Sequence, residues 1–274
     1  MEAFNSFQPV FNNLWIILSY IHRKNMETAL TIVRYKKRYV YFALVAMALF
    51  HIPLLLQKKI RFYKLMGCGK GGSFSILPDW QQWAVLVVKE SIHKEVSQQQ
   101  GLNDQLRVIY GSWITRWWRF WGCETLTVLL QPLESKGTWD GKTVFGPFTV
   151  QKDFTGPIAV LTRASIRLSK LRRFWKFVAP TGAEIAEANG LIFSQGIGEA
   201  PWIRQATFSV WESKEAMKSF AYKRKNHVEV IQLTHKERWY AEEMFVRFAL
   251  LATMGSLKGR NPVGKAFDAS AEIM

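Results

Sequence analysis

The chain has 274 residues, 49% of them apolar, with 12 Trp and 19 Phe; this excludes a disordered polypeptide and provides core for one large domain or two small ones. A formal net charge of +16 points to an anionic partner, whether lipid surface, nucleic acid or anionic ligand. Two cysteines, Cys68 and Cys123, exclude a disulfide framework and a cysteine-rich zinc site, and suit a reducing cytoplasm.

Residues 1–25 show no clear periodicity, and their apolar run 14–18 is too short to span a bilayer and lacks signal-peptide flanks. They read as an extension, with Met26 as an alternative start. A strand follows at 29–33 and ends near Arg34. Residues 39–50 are twelve apolar residues in a row, followed by His51 and Pro53. The run is short of the ~20 residues of a spanning helix, and its length predicts a buried core helix. The rival reading is a helix lying in a membrane surface.

The remaining elements occur in an order used twice. In residues 26–135 the first strand and helix lead to a strand at 62–65 with Gly67-Cys68-Gly69, and then a strand at 83–88 with Glu90-Ser91 behind it. A helical stretch follows, ending at Trp117-Trp118-Arg119-Phe120-Trp121, and then a strand at 125–130. In residues 157–274 a strand at 158–163 ends in Arg163, a helix begins near Ser169, and residues 191–193 lead to Gly196-Ile197-Gly198. A strand at 206–211 with Glu212-Ser213 behind it, a helical stretch to Trp239 and a strand at 244–250 complete the unit. Residues 136–156 have loop composition and read as a linker. Each half is βαββαβ, the ferredoxin-like unit, and two such sheets bury their apolar faces together. The predicted fold is therefore α+β: two ferredoxin-like repeats forming an α+β barrel within one chain.

Neither Gly-x-Gly completes a nucleotide-binding Gly-x-Gly-x-x-Gly; a hairpin turn or close backbone packing accounts for them. No nucleophile elbow, P-loop or paired-histidine metal motif is present. Glu212, Glu242 and Glu243 are candidates for acid or base, with capping and surface roles the simpler reading, and His51, His93 and His235 read as packed or solvated. His227 differs, because Asn226-x-x-Glu229 reads as a helix N-cap with its capping-box partner. The positive end of a helix dipole favours neutral imidazole, the form that binds iron. With abundant aromatics and arginines, the setting suits a large apolar ring with anionic groups, such as haem.

The run 62–69 (FYKLMGCG) is similar to a signature of the spheroidene monooxygenase family, as are 156–164 (GPIAVLTRA), 196–202 (GIGEAPW) and 205–211 (QATFSVW), with His227 and 239–248 (WYAEEMFVRF). The similarity runs over about residues 28–260. It implies a dimeric α+β barrel fold and an enzyme that uses haem b iron and O2 to place a keto group on an acyclic carotenoid, with an external electron donor such as a ferredoxin. It implies His227 as the axial ligand. Residues 1–25 have no counterpart in that pattern.

From these readings His227 is expected to hold iron, and Arg163 and Arg247 to face the barrel interior or mouth and bind propionates, Arg163 also assisting O–O cleavage. Gln205 and Ser209, evenly spaced on one strand, are expected to share a face and hydrogen-bond distal oxygen. Trp202, Phe208 and Trp211 are expected to line an apolar pocket. The basic, aromatic surface is expected to dock on anionic lipid at the inner face of the cell membrane in a salt-dependent way. Nucleic acid has charge in its favour but no motif. A haem or hydrophobe carrier or sensor, and a cofactor-free oxygenase, are the alternatives.

Overall fold

Residues 29–33, Ala-Leu-Thr-Ile-Val, are all buried, because their strand is covered on both faces. Leu30 and Ile32 point into a barrel; Ala29 and Val33 point outward under helices. The structure, a computed structural model, describes residues 26–72, 75, 77–96, 99–146, 154–223, 233–234, 236–264 and 266–267. The extension 1–25, the capping pattern at 226–229, His227 and His235 lie outside the described residues.

The first half contains β1 (Met26–Arg34), α1 (Val40–Leu49), α2 (His51–Leu56), β2 (Ile60–Gly69), β3 (Pro78–Glu90), α3 (Leu102–Tyr110), α4 (Ser112–Phe120) and β4 (Glu124–Gly137). The second contains β5 (Ile158–Ile166), α5 (Leu171–Ala186), β6 (Leu191–Ala200), β7 (Arg204–Trp211), α6 (Lys214–Lys223) and β8 (Tyr240–Gly255). The strands close into one antiparallel barrel in the order β1-β3-β2-β6-β7-β5-β8-β4. The chain is thus an α+β barrel of two βαββαβ units, with the helices outside. Closure removes the exposed edges that an open sheet would present.

The barrel interior is a packed core that includes Leu30, Met66, Leu86, Phe208 and Phe248. Residues beyond β4 join it: Trp139 and Phe145 are buried in the same cluster, so part of 136–156 fills the barrel rather than only linking the halves. The two Gly-x-Gly segments are not hairpin turns. Both lie inside strands, and they pair with each other where the halves meet: Gly67 opposite Gly198 and Cys68 opposite Ile197. Close backbone packing is the part of the expectation that fits this position.

Helices cover the outer face of the first half. In the first half α3 and α4 lay Tyr110, Ile114 and Trp118 onto the sheet. The polar groups beneath are paired: Thr31 Oγ1 lies 2.6 Å from both Tyr110 Oη and Thr127 Oγ1. The run 39–50 is not a buried core helix. Only Ala43 and Ala46 of α1 are buried, while Tyr41 is 80% exposed and Leu55 of α2 70%. Composition alone cannot separate a helix apolar on all sides from one enclosed on all sides.

Candidate functional site

Most of the described residues singled out from the sequence fall in two places, on opposite sides of the same sheet. Strand alternation decides which side each residue takes. Arg163 and Phe208 point into the barrel; Gln205, Ser209, Trp211 and Arg247 point out.

At the barrel mouth the Arg163 side chain is 1% exposed and meets three carboxylates. Its Nε donates to Glu199 Oε1 at 3.2 Å, its Nη1 to Glu242, and its Nη2 lies 3.5 Å from Asp140 Oδ1. Glu199 also accepts from Lys64 Nζ at 2.7 Å and from Trp139 Nε1 at 2.8 Å. Glu242 accepts from Thr138 Oγ1 at 2.8 Å and from the Gly141 amide at 2.7 Å. Burial pushes the Glu242 carboxyl up, but the Gly141 amide, Arg163 and Thr138 outweigh it and hold it down at about 2. Lys64, Arg163 and Arg204 thus balance Asp140, Glu199 and Glu242, and Arg163 is committed to its own carboxylates. Of the two arginines expected at the barrel interior or mouth, Arg163 is there and Arg247 is on the opposite face of the sheet. The cluster also moves Glu242 from a capping or surface role to a partner of Arg163. Beside the mouth, Arg167, Thr234, Arg238 and residues 240–243 line a depression of about 320 Å³.

The outer face of the second half has a different character. Register places its outward residues in three rows of four across β6, β7, β5 and β8. The rows are Ser194-Ser209-Val160-Arg247, Gly196-Thr207-Thr162-Phe245 and Gly198-Gln205-Ala164-Glu243. With strands about 4.8 Å apart, each row runs roughly 14 Å. The β6 and β7 positions are glycine or small polar side chains, apart from Gln205. In the first half the corresponding rows are Leu65-Val85-Thr31-Thr127 and Gly67-Trp83-Val33-Thr125, which carry bulk at the same points.

Among the described residues this floor is only partly used. Thr162, in the middle of β5, is exposed. Ser194 Oγ, Thr207 Oγ1 and Arg247 Nε are buried without a hydrogen-bond partner among the described residues. Arg247 Nη1 is held 3.0 Å from Glu134 Oε2. Trp211 Nε1 donates to Ser209 Oγ at 2.9 Å, which leaves the Ser209 hydroxyl proton to point elsewhere. Trp211 packs beside Phe220 at one edge of the floor. Trp202 sits apart, half exposed in the turn between β6 and β7, where its φ is +66°.

Gln205, Ser209, Trp211 and Arg247 are therefore brought to one face, and Arg163, Phe208 and Trp202 are not. Ser194, Thr207 and Thr162 were missed from the sequence. Their signal was present: Ser-Gln-Gly-Ile-Gly and Gln-Ala-Thr-Phe-Ser both alternate small or polar with mostly apolar residues, and the polar set shares the outer face. Among the described residues no group of His, Cys, Asp and Glu is arranged to hold a metal ion.

No family model matches the chain. Curated relatives do. It is 35% identical to spheroidene monooxygenase of Cereibacter sphaeroides over 215 residues, which is 77% of this chain and 62% of that protein. To spheroidene monooxygenase of Rhodobacter capsulatus it is 34% identical over 212 residues, 77% of this chain and 84% of that one. To that of Rubrivivax gelatinosus it is 34% identical over 210 residues, 76% and 75% of the two chains. The aligned part thus spans less than two thirds of the Cereibacter protein. Among solved structures, aldoxime dehydratase OxdRE, in complex with butyraldoxime, is similar in fold at a TM-score of 0.55 and 10% identity, covering 82% of this chain and 79% of that one. A second aldoxime dehydratase structure gives 0.52 at 9% identity, covering 82% and 81%.

Proposed function

Because the chain belongs to the spheroidene monooxygenase family, we propose that it is an O2-dependent monooxygenase that places a keto or hydroxyl oxygen on an acyclic carotenoid or a similar long apolar substrate. The reading includes haem b on the outer face of β5–β8. The observation that carries it is the contrast in bulk between the halves: Ser194, Ser209 and Thr207 stand in the second where the first has Leu65, Val85 and Trp83.

The residues of this face fit such a group. The barrel interior does not, since Phe208, Phe248, Trp139 and Phe145 fill it. On the outer face, Gly196, Thr207 and Thr162 offer a low floor for a flat ring. Arg247, fixed through Glu134, keeps Nε as a donor toward a carboxylate. His227, which lies outside the described residues, is the ligand that the family resemblance implies.

When bound, haem supplies the iron that activates O2. The protein's part is positioning. Ser209, oriented by Trp211, and Thr207 present hydroxyl donors, with Gln205 in the adjacent row. Trp211, Phe220 and Phe245 give the apolar rim against which a polyene packs. Each monooxygenation turns a C–H into a C–OH and releases the other oxygen atom as water, taking two electrons from an external donor; a keto group needs a second round on the same carbon, followed by loss of water. The net charge of +16 suits an acidic donor such as a ferredoxin.

The test is the visible absorption spectrum of the purified chain before and after adding haem, for wild type and His227→Ala, followed by carotenoid turnover. A Soret band that weakens or shifts in the variant supports iron on His227. No Soret band after reconstitution overturns the haem reading and leaves the cofactor-free oxygenase. A Soret band without turnover of any added carotenoid leaves the carrier or sensor.

A further inference from the structure

Helices α1 and α2 present a surface that a water-facing helix does not. Their inner stripe is Ala43, Ala46, Phe50 and Leu54, spaced three, four and four residues apart and all buried against the barrel. The opposite face should be polar. Instead it holds Tyr41, Leu44, Val45, Ile52, Leu55 and Leu56, each between 41% and 80% exposed. The stretch Lys37–Leu56 has a mean hydropathy of 2.1 over its most apolar window, of which 22% is buried. The apolar surface continues sideways onto α4 and the residue after it, where Trp121 stacks on Phe42 at 3.6 Å and Phe120 is 79% exposed. A continuous apolar face of this kind marks a docking site.

The charges around it state what docks. Lys36, Lys37 and Arg38 stand before α1; Lys58, Lys59 and Arg61 follow α2, with Lys59 and Arg61 also meeting Glu95 and Glu90. Arg116 and Arg119 are exposed on α4. No acidic residue occurs between Glu27 and Asp79. We infer that α1 and α2 lie in the headgroup layer of an anionic lipid bilayer, with the outer face sunk toward the acyl chains and the basic ends on the phosphates. The helix does not cross the bilayer, because Phe50 and Leu54 hold its other face on the barrel. A second copy of the chain is the poorer occupant: both ends of the helix pair are basic, so parallel and antiparallel pairing alike bring like charges together. The inference does not rest on the identity of the substrate or on haem.

The test is flotation of the full chain with vesicles of phosphatidylcholine, with and without about a third phosphatidylglycerol. Wild type is expected to float with the anionic vesicles, and high salt to weaken binding without abolishing it, since part of the attachment is apolar burial. Leu44→Glu/Leu55→Glu is expected to bind about tenfold more weakly or worse. Leu55→Asn/Leu56→Asn provides a second variant at highly exposed positions, and thermal melting confirms that each variant is folded. Wild type that does not float, or folded variants that float as well as wild type, would overturn the proposal. So would sizing by light scattering that finds a wild-type dimer, split by the variants, with no vesicle binding; the face would then be covered by a second copy.

Discussion

Gly67 and Gly198 are register partners at the junction of β2 and β6, where the two halves of the barrel meet. The demands on the two positions differ. A Cβ on Gly67 would find its nearest neighbour at 3.9 Å, whereas one on Gly198 would stand 2.9 Å from the Arg204 carbonyl oxygen and 3.1 Å from Gln205 Nε2. Gly198→Ala should therefore destabilise by about 1–3 kcal/mol and displace Gln205, while Gly67→Ala should cost less than about 1 kcal/mol. Chemical denaturation of the two variants side by side checks this; equal losses would contradict the geometry.

Arg163 holds the barrel mouth together. Arg163→Ala leaves Glu199 and Glu242 facing each other without their shared cation, and should cost about 3–5 kcal/mol. Arg163→Lys keeps the charge but not the fork that reaches three carboxylates, and should lie between the two. Both losses should show in the protein without added haem, because the proposed site is on the other side of the sheet. Wild-type stability of Arg163→Ala would refute this assignment.

Acid should weaken the same cluster. The Glu242 carboxyl is held at about 2, below its ordinary ~4.3, so its contribution is fully present above about pH 4.3 and is lost as pH falls toward 2. Glu242→Gln should flatten the decline in stability between about pH 5 and pH 2. It should not abolish it, since Glu237, held down to about 2 by Arg173 and Trp239, titrates in the same window. Melting temperature against pH for the two proteins is the measurement; parallel curves would mean that Glu242 is not depressed.

Thr207 is where stability and the proposed activity should part. Its hydroxyl is buried without a partner among the described residues, so Thr207→Val should raise the stability of the ligand-free protein by about 1 kcal/mol, roughly 2–4 °C in melting temperature. The same change removes a donor from the proposed site and should weaken haem binding or slow turnover. A Thr207→Val protein that is less stable in the absence of ligand would show that the hydroxyl has a structural partner.

The repeat, and which side chains share a strand face, could be read from the residues alone. Residues 205–209 alternate small or polar with apolar side chains, so the shared face of Gln205 and Ser209 was legible from the residues, while 29–33 marked a strand by its β-branched composition and not by alternation. The order of elements, used twice, was enough for a barrel of two ferredoxin-like units. Three other matters were left to the tertiary structure. Alternation tells which residues share a side of a strand, but not whether that side meets a packed core or a helix layer; the register of β5 against β8 decided that Arg163 and Arg247 point apart. A carboxylate's partner is set by folding, so Glu242 carried no signal of its ties to Arg163, Thr138 and Gly141. Hydropathy measures a side chain's preference and not its surroundings, so the run 39–50 could be assigned to core or to surface only once Ala43, Ala46, Phe50 and Leu54 were seen to take the barrel side and leave the rest of an apolar helix facing outward.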